Sequence, residues 1–129
     1  MQLIAGGSGV VPLLAMARAR AVADSAAPFR LLCSTRSPDD AMYADEISRL
    51  PPAAFTVSWV YTRQPPPGWP RTAGRVTDAE LAQLCWPPAE RPAVFVCGPT
   101  SFVEAVADAL VRIGHEPARI RTERFGGSS

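Results

Sequence analysis

The sequence contains no lysine, so arginine alone supplies its thirteen cations, and twelve acidic residues nearly balance them. A net charge of +1 leaves no broad basic surface of the kind that binds nucleic acid or anionic lipid. Apolar runs are short as well, and none approaches a transmembrane helix, which needs about 20 apolar residues. We therefore expect no nucleic-acid partner and no membrane partner, and any anion site has to be local.

Cysteine and histidine are also scarce, with three cysteines and one histidine in 129 residues. Cys33, Cys85 and Cys97 are odd in number and lack CxxC spacing, which argues against both a disulfide framework and a zinc site. We expect no bound metal and a reducing, cytoplasmic location. His115 follows the last predicted helix, and we expect it to be exposed at the end of that helix.

The chain length fits one domain, and its apolar segments alternate between strand and helix patterns. The predicted strands are Leu3–Ala5, Phe29–Cys33, Phe55–Tyr61, Ala93–Val96 and Arg119–Phe125. The predicted helices are Val10–Ala23, Met42–Leu50, a helix capped by Thr77 and Asp78 that ends at Leu84, and Phe102–Ile113, capped by Thr100 or Ser101. Such alternation predicts an α/β fold, in which helices cover both faces of a parallel sheet. Ligands bind such sheets beyond the carboxyl ends of the strands.

A glycine-rich turn follows the first predicted strand and opens the first helix. Its Gly6-Gly7-Ser8-Gly9 segment lets a pyrophosphate approach the backbone and the positive helix end. The turn lacks the G-x-G-x-x-G fingerprint, because Pro12 follows Val10 and Val11, and it lacks the G-K-[ST] of a Walker loop. We interpret it as a phosphate-binding turn; the alternative is a tight turn without a ligand.

The end of the second strand normally meets the adenosine ribose, and an arginine there can pair with the 2′-phosphate of NADP. This sequence places Ser34, Thr35 and Arg36 at that position, and Tyr43 is placed to stack on adenine. Arg36 therefore favours NADPH, whereas the nearby Asp39-Asp40 pair weakens that preference. The alternatives are a solvated loop arginine and a tyrosine packed in the core.

Cys97-Gly98-Pro99, followed by Thr100, ends the fourth strand and points toward the same crevice. A phosphatase-type cysteine is excluded because Val103 occupies the position of the required arginine. His115 lies on the wrong side for a Cys-His pair, so covalent catalysis is not expected. A buried small residue is the alternative role for Cys97.

Taken in order, these motifs resemble the nucleotide-binding half of the ferredoxin-NADP reductase superfamily of flavin-dependent NAD(P)H oxidoreductases. The motifs that carry the resemblance are Gly6-Gly7-Ser8-Gly9-Val10-Val11-Pro12, Ser34-Thr35-Arg36 with Tyr43, Thr62-Arg63, Gly74-Arg75, Cys97-Gly98-Pro99 and Glu123-Arg124-Phe125. The resemblance covers nearly the whole chain. It implies a five-stranded parallel sheet of order 3-2-1-4-5.

The resemblance also implies roles for these residues. The glycine turn, with Val10 and Pro12, would hold the pyrophosphate, and Cys97-Gly98-Pro99 with Thr100 would border the nicotinamide. The residues expected to make catalytic contacts are Cys97 and Glu123. Cys97 would position the nicotinamide ring, and Glu123 would lie with Phe125 near the junction of nicotinamide and flavin. The remaining residues, expected near the adenosine, ribose or phosphates, are Ser34, Thr35, Arg36, Tyr43, Thr62, Arg63 and Arg75. For Arg63 and Arg75 the alternative is a salt bridge that orders the loop.

Members of this family carry a β-barrel that binds FAD or FMN before this region, and residues 1–129 show no such segment. We expect an NAD(P)-binding domain that is inactive until a flavin-binding domain joins it in cis or in trans. The electrons would pass to a ferredoxin-like or [2Fe-2S] carrier. Two alternatives stay open: a non-catalytic nucleotide-binding or regulatory module, and a flavodoxin-like domain that binds FMN itself.

Overall fold

The computed structural model describes residues 1–22 and 28–125, which form an α/β domain around one parallel sheet. The strand order is β3-β2-β1-β4-β5, which confirms the predicted order. The strands are β1 Gln2–Gly6, β2 Phe29–Thr35, β3 Phe55–Tyr61, β4 Val94–Gly98 and β5 Ile120–Arg124. The α-helices are α1 Val10–Val22, α2 Ala44–Ser48, α3 Asp78–Leu84 and α4 Thr100–Arg112.

The central strand β1 supplies both halves of the core, because successive side chains of a strand point to opposite faces. Leu3 and Ala5 pack in the cluster that includes α1 and α2, and Ile4 packs in the cluster that includes α3 and α4. Leu3 and Ile4 have no exposed surface. Burying a side chain of this size contributes about 1.5–3 kcal/mol, so the two-sided core is the main stabilising element.

Two interactions fix the position of α3. The Thr77 hydroxyl accepts from the Glu80 N–H at 3.1 Å, and the Glu80 carboxylate accepts from the Thr77 N–H at 3.0 Å. This capping box confirms Thr77 as the cap. Arg112 of α4 also donates to both carboxylate oxygens of Asp78, at 2.9 and 3.0 Å. The helices that cover the second face are thereby joined at their ends.

Several predicted boundaries are wrong by a few residues. The second strand continues through Ser34 and Thr35, and α4 begins at Thr100 with Pro99 as its cap, instead of following a Thr100 or Ser101 cap. The predicted end of α1 at Ala23 lies outside the described residues. Tyr43 stands before α2 with a φ of +58°, a left-handed conformation that a right-handed helix cannot contain. The second helix is consequently shorter than its apolar spacing predicted.

His115 is buried, with 4% of its surface exposed, which contradicts the predicted exposed position. After α4 the chain turns at Gly114, whose φ is +112°, and the His115 N–H donates to the Leu110 carbonyl at 2.9 Å. Its Nε2 atom is buried and has no hydrogen-bond partner within the described ranges. The imidazole is therefore enclosed because the turn folds back on the last turn of α4.

We expect acid to destabilise the domain through His115. Burial lowers the pKa of this imidazole from 6.5, so the unfolded chain takes up the proton first as the pH falls. Its stabilising contribution is complete above about pH 6.5 and is lost as the pH falls through the lower pKa of the folded state. Urea denaturation at about pH 7.5 and about pH 5.5 measures this loss, which cannot exceed about 1.4 kcal/mol per pH unit. His115→Leu removes the only histidine and should make this dependence less steep; the Met1 amino group, whose pKa burial lowers from 8.0, accounts for a remaining part in both chains. An equally steep dependence in the variant would contradict the assignment.

Within residues 1–22 and 28–125, no helix is long and apolar enough to cross a membrane. The same residues contain no group of three or more potential metal ligands.

Candidate functional site

The glycine turn connects β1 to α1 at the carboxyl edge of the sheet. Gly7 to Gly9 form one 3₁₀ turn, and α1 begins at Val10. Gly7 has a φ of +54° and no atom within 4 Å of the place where a Cβ would stand, so the outer side of the turn is open. The first turn of α1 carries no acidic side chain. The positive end of the α1 dipole therefore lies at the carboxyl edge of the sheet, and no acidic side chain in the first turn of α1 offsets it.

The inner side of this turn packs directly on the backbone at the end of β4. A Cβ on Gly9 would lie 2.1 Å from the Cys97 carbonyl oxygen, so only glycine fits. Gly98 has a φ of +156°, and a Cβ there would lie 3.0 Å from the Gly6 carbonyl oxygen. The Phe125 N–H donates to the Gly98 carbonyl at 3.0 Å. The glycine turn, the Cys97-Gly98-Pro99 turn and the end of β5 consequently form one continuous edge.

A cavity of about 420 Å³ opens beside this edge, between α1, β4 and β5. Its lining residues are Pro12, Leu13, Met16, Phe95, Cys97, Arg121, Thr122 and Glu123. Three of the residues predicted for the site, Pro12, Cys97 and Glu123, meet here. Phe125 packs against the core cluster on the same face of the sheet. The cavity thus combines an apolar floor with a rim that carries one cation, one anion and a thiol.

Sequence reasoning missed five of these lining residues. They are Leu13, Met16, Phe95, Arg121 and Thr122. A period-2 signal could have found two of them, because Phe95 precedes Cys97 by two residues and Arg121 precedes Glu123 by two. The parallel register places Phe95 beside Arg121 and Cys97 beside Glu123. Predicting the helix residues required knowing that α1 runs beside β4.

The Cys97 thiol is not activated. Burial and the nearby Glu123 carboxylate raise its pKa to about 11. Burial likewise raises the pKa values of Cys33 and Cys85 to about 12. A thiol with such a pKa is protonated at neutral pH and is a poor nucleophile. The burial and raised pKa of Cys97 therefore favour a role as a ligand contact and argue against covalent catalysis.

We expect the native chain to react slowly with thiol reagents. The three free cysteines are all buried, and each stays protonated because its pKa is raised. In Ellman's assay at about pH 8, far less than one thiol per chain should react within minutes, because thiolate is the reacting form. In concentrated guanidinium chloride all three should react. One fast thiol in the native chain, lost in Cys97→Ser, would show that Cys97 is activated after all.

A second, narrow crevice lies between the glycine turn and the end of β2. It is lined by Ala5, Gly7, Val10, Cys33, Ser34, Thr35, Ala41, Met42 and Trp59. Ser34 and Thr35 are largely buried in the strand, with 7% and 8% exposure. The Thr35 hydroxyl donates to the Ser37 carbonyl at 3.4 Å. Both residues thus border the crevice. Because they belong to strand β2 and not to the loop after it, their side chains are less exposed to solvent than the sequence predicted.

Three predicted arginines lie on the loops that follow β2 and β3. Arg36, Arg63 and Arg75 are exposed, and none takes part in the ion pairs found within residues 1–22 and 28–125. The Arg63 N–H donates to the Arg36 carbonyl at 3.1 Å, and the Thr62 N–H donates to the Thr35 carbonyl at 2.8 Å. These bonds join the two loops. The backbones of Arg36 and Arg63 are therefore held together, and no acid described in the structure neutralises either guanidinium.

Tyr43 also lies near this region, although not on a helix as predicted. Its side chain is 47% exposed, which excludes the alternative of a core tyrosine. The Arg18 guanidinium stands 6.0 Å from its ring centroid. Among the nearby acids, Asp40 accepts a hydrogen bond from the Ser37 hydroxyl at 2.8 Å. The Tyr43 ring is thus exposed with Arg18 over one of its faces, the arginine loops are open, and Asp40 is engaged in its own turn.

The fold and this edge define a class of protein: a parallel α/β domain with a glycine-rich turn at the carboxyl edge of its sheet. Residues 3–108 match the family model described as the oxidoreductase NAD-binding domain, and the chain belongs to that family. Membership of the ferredoxin-NADP reductase superfamily, predicted from the motifs, is thereby confirmed. The chain is an NAD-binding domain of the type found in flavin-dependent reductases.

Curated relatives and solved structures agree with this assignment. A flavohemoprotein of Rhodopirellula baltica is 33% identical over 130 residues, which span 96% of this chain and 31% of that protein. The ferredoxin reductase component of a 3-ketosteroid-9-alpha-monooxygenase from Mycobacterium tuberculosis is 28% identical, with 95% and 32% covered. A cytochrome P450 reductase structure from Amycolatopsis is 30% identical with a TM-score of 0.78, covering 100% of this chain and 38% of that one. The chain thus spans about a third of the length of these relatives.

Proposed function

We propose that residues 1–129 form an NAD(P)H-binding domain that presents the nicotinamide to a flavin held by another domain. The observation that carries this proposal is the contact of the glycine turn with the Cys97 backbone. It makes one binding edge from the start of α1 and the ends of β4 and β5. The open outer side of the turn, with Gly6, Gly7, Ser8, Gly9 and Val10, is suited to a pyrophosphate.

The adenosine end of the nucleotide would lie toward β2 and β3. Ser34 and Thr35 border the crevice there, and the exposed Tyr43 ring can stack on adenine. Arg36, Arg63 and Arg75 offer guanidinium groups that no acid within the described residues engages. Arginine pairs with phosphate through two parallel hydrogen bonds. We infer a preference for NADPH over NADH, with Arg36 as the contact to the 2′-phosphate.

The nicotinamide end would lie at the cavity beside Cys97-Gly98-Pro99 and Thr100. Reduced nicotinamide supplies a hydride when it is bound. This chain's own groups act by positioning: the protonated Cys97 thiol contacts the ring, while Pro12, Leu13 and Phe95 keep water away from it. Glu123 stands beside Cys97 in the parallel register and supplies a polar contact at the rim.

The flavin and the electron acceptor belong to other parts of the system. The names of two solved structures, a flavohem-like FAD/NAD binding domain and a flavohemoglobin with bound FAD, support a flavin domain, which we expect to be a β-barrel that supplies FAD or FMN in cis or in trans. The names of two relatives, a ferredoxin reductase component and a cytochrome P450 reductase, support a one-electron acceptor such as a ferredoxin-like or [2Fe-2S] protein. The three free cysteines support a reducing, cytoplasmic location.

Calorimetric titration of the purified chain with NADPH and with NADH, side by side at low salt, tests this proposal. Tighter binding of NADPH is the expected result. Addition of a flavin-binding barrel domain should then restore reduction of cytochrome c or of a dye. Binding without restored reduction would favour a regulatory nucleotide-binding module. Absence of binding for both nucleotides at millimolar concentration would overturn the proposed site in the isolated chain.

A further inference from the structure

The two edge strands of the sheet differ in how they are protected. On β3, the Arg71 guanidinium donates to the Trp59 carbonyl at 3.3 Å, and the Gly74 N–H donates to the Tyr61 carbonyl at 3.1 Å. The proline-rich loop of residues 63–75, which follows β3, therefore covers the end of that edge. Among the described strands, β5 pairs with β4 on one side only. Because an uncovered edge is a template for a further strand, β5 is the edge that can accept one.

The backbone of β5 shows which of its groups point outward. The Phe125 N–H donates to Gly98 of β4, so Phe125, Glu123 and Arg121 direct their N–H and C=O groups inward. Alternation along the strand then directs those of Ile120, Thr122 and Arg124 outward. Thr122 is the middle residue of β5. An antiparallel strand centred opposite Thr122 would meet a regular ladder of outward groups.

We propose that β5 pairs with β5 of a second copy of this chain, antiparallel, about a twofold axis at Thr122. In this register Arg121 lies opposite the partner's Glu123, and Glu123 lies opposite the partner's Arg121. Both side chains are exposed and lie on the same face of the strand. Directly opposed charges of opposite sign stabilise antiparallel pairs. On the other face, Ile120 lies opposite the partner's Arg124, whose aliphatic stem can cover it.

The charges on β5 favour this register, and they favour a second copy of the chain as the strand that pairs with β5. An axis at Arg121 would oppose two arginines, and an axis at Glu123 would oppose two carboxylates, which destabilises the pair in either case. Of these three axes, only the one at Thr122 places Arg121 and Glu123 opposite residues of opposite charge. The contact also extends the rim of the cavity that Arg121, Thr122 and Glu123 line. Because only five residues per chain pair, the interface is small, and we expect a weak dimer that depends on concentration and salt.

Sedimentation equilibrium of the 129-residue chain without nucleotide tests the proposal. The wild-type chain should dimerise with a Kd on the order of 100 μM. Arg121→Glu and Glu123→Arg should each weaken dimerisation about tenfold or more, because each places like charges opposite one another at two symmetric positions. The double variant, Arg121→Glu with Glu123→Arg, restores the complementarity and should recover affinity to within about threefold.

Two further variants serve as controls. Thr122→Pro removes an outward N–H without removing a bond to β4, and it should abolish the dimer while far-UV circular dichroism and the urea midpoint show a folded chain. Arg49→Glu changes the same charge on an exposed residue distant from β5 and should leave the dimer unchanged. A wild-type chain that stays monomeric at about 1 mM, or a double variant as weak as the single ones, would overturn the proposal. The proposed nucleotide site does not depend on this outcome, since dimerisation is measured without nucleotide.

Discussion

Substitution of Gly9 by alanine should lower the free energy of unfolding by about 3 kcal/mol and abolish nucleotide binding. The added Cβ would stand 2.1 Å from the Cys97 carbonyl oxygen, 2.4 Å from its carbonyl carbon and 2.8 Å from the Gly98 nitrogen. All three atoms belong to the backbone of β4, so no flexible side chain can move aside. The glycine turn and the end of β4 must separate, which disrupts both the core beneath them and the edge proposed to bind the pyrophosphate.

Gly68→Ala is the matched control for this variant. Gly68 has a φ of +79°, and no atom lies within 4 Å of the place where its Cβ would stand, so alanine there meets conformational strain but no clash. Left-handed conformation costs a non-glycine residue about 1–2 kcal/mol. Urea denaturation compares the two variants, and calorimetry with NADPH compares their binding. Equal stability losses, or retained NADPH affinity in Gly9→Ala, would mean that the turn and the Cys97 backbone are not in close contact.

Most element positions could be predicted because local signals agreed with the final packing, whereas the strand order was implied by the family resemblance alone. Glycine turns follow β1 and β4, and the alternation of strands with helices implies parallel pairing. The errors arose where tertiary structure overrode a local pattern. Tyr43 has the spacing of a helical residue, but the turn before α2 holds it in a left-handed conformation. His115 reads as a polar residue after a helix, but the fold-back at Gly114 buries it.

The candidate site shows the same division between local and tertiary information. The residues on turns and at strand ends, such as Gly9, Cys97 and Arg36, are recognisable because their motifs occupy fixed positions relative to the strands. The cavity beside them is different, since Leu13 and Met16 lie on a helix that reads as ordinary core. Its other wall comes from β5, at the opposite end of the chain from α1. Such a wall depends on strand order, which alternation alone does not specify.

Arg36→Ala should reduce affinity for NADPH about tenfold to a hundredfold and leave affinity for NADH nearly unchanged. A hydrogen-bonded charge pair contributes about 1.5–3 kcal/mol, and only NADPH carries the 2′-phosphate that could form it. Arg36 is exposed, and its backbone is hydrogen-bonded to the loop that carries Arg63. Calorimetric titration of both nucleotides, at one low salt concentration, gives the affinity ratio that decides the question.

Arg49→Ala is the appropriate control, because Arg49 is also exposed but follows α2, away from the carboxyl edge of the sheet. It should leave the NADPH/NADH ratio at the wild-type value, so that a general loss of positive charge cannot explain the effect of Arg36→Ala. An unchanged ratio in Arg36→Ala itself would remove the basis for a preference for NADPH. Asp39 would then become the better candidate for contact with the nucleotide, since Asp40 is held by Ser37 and a carboxylate at this strand end accepts the ribose hydroxyl of NADH.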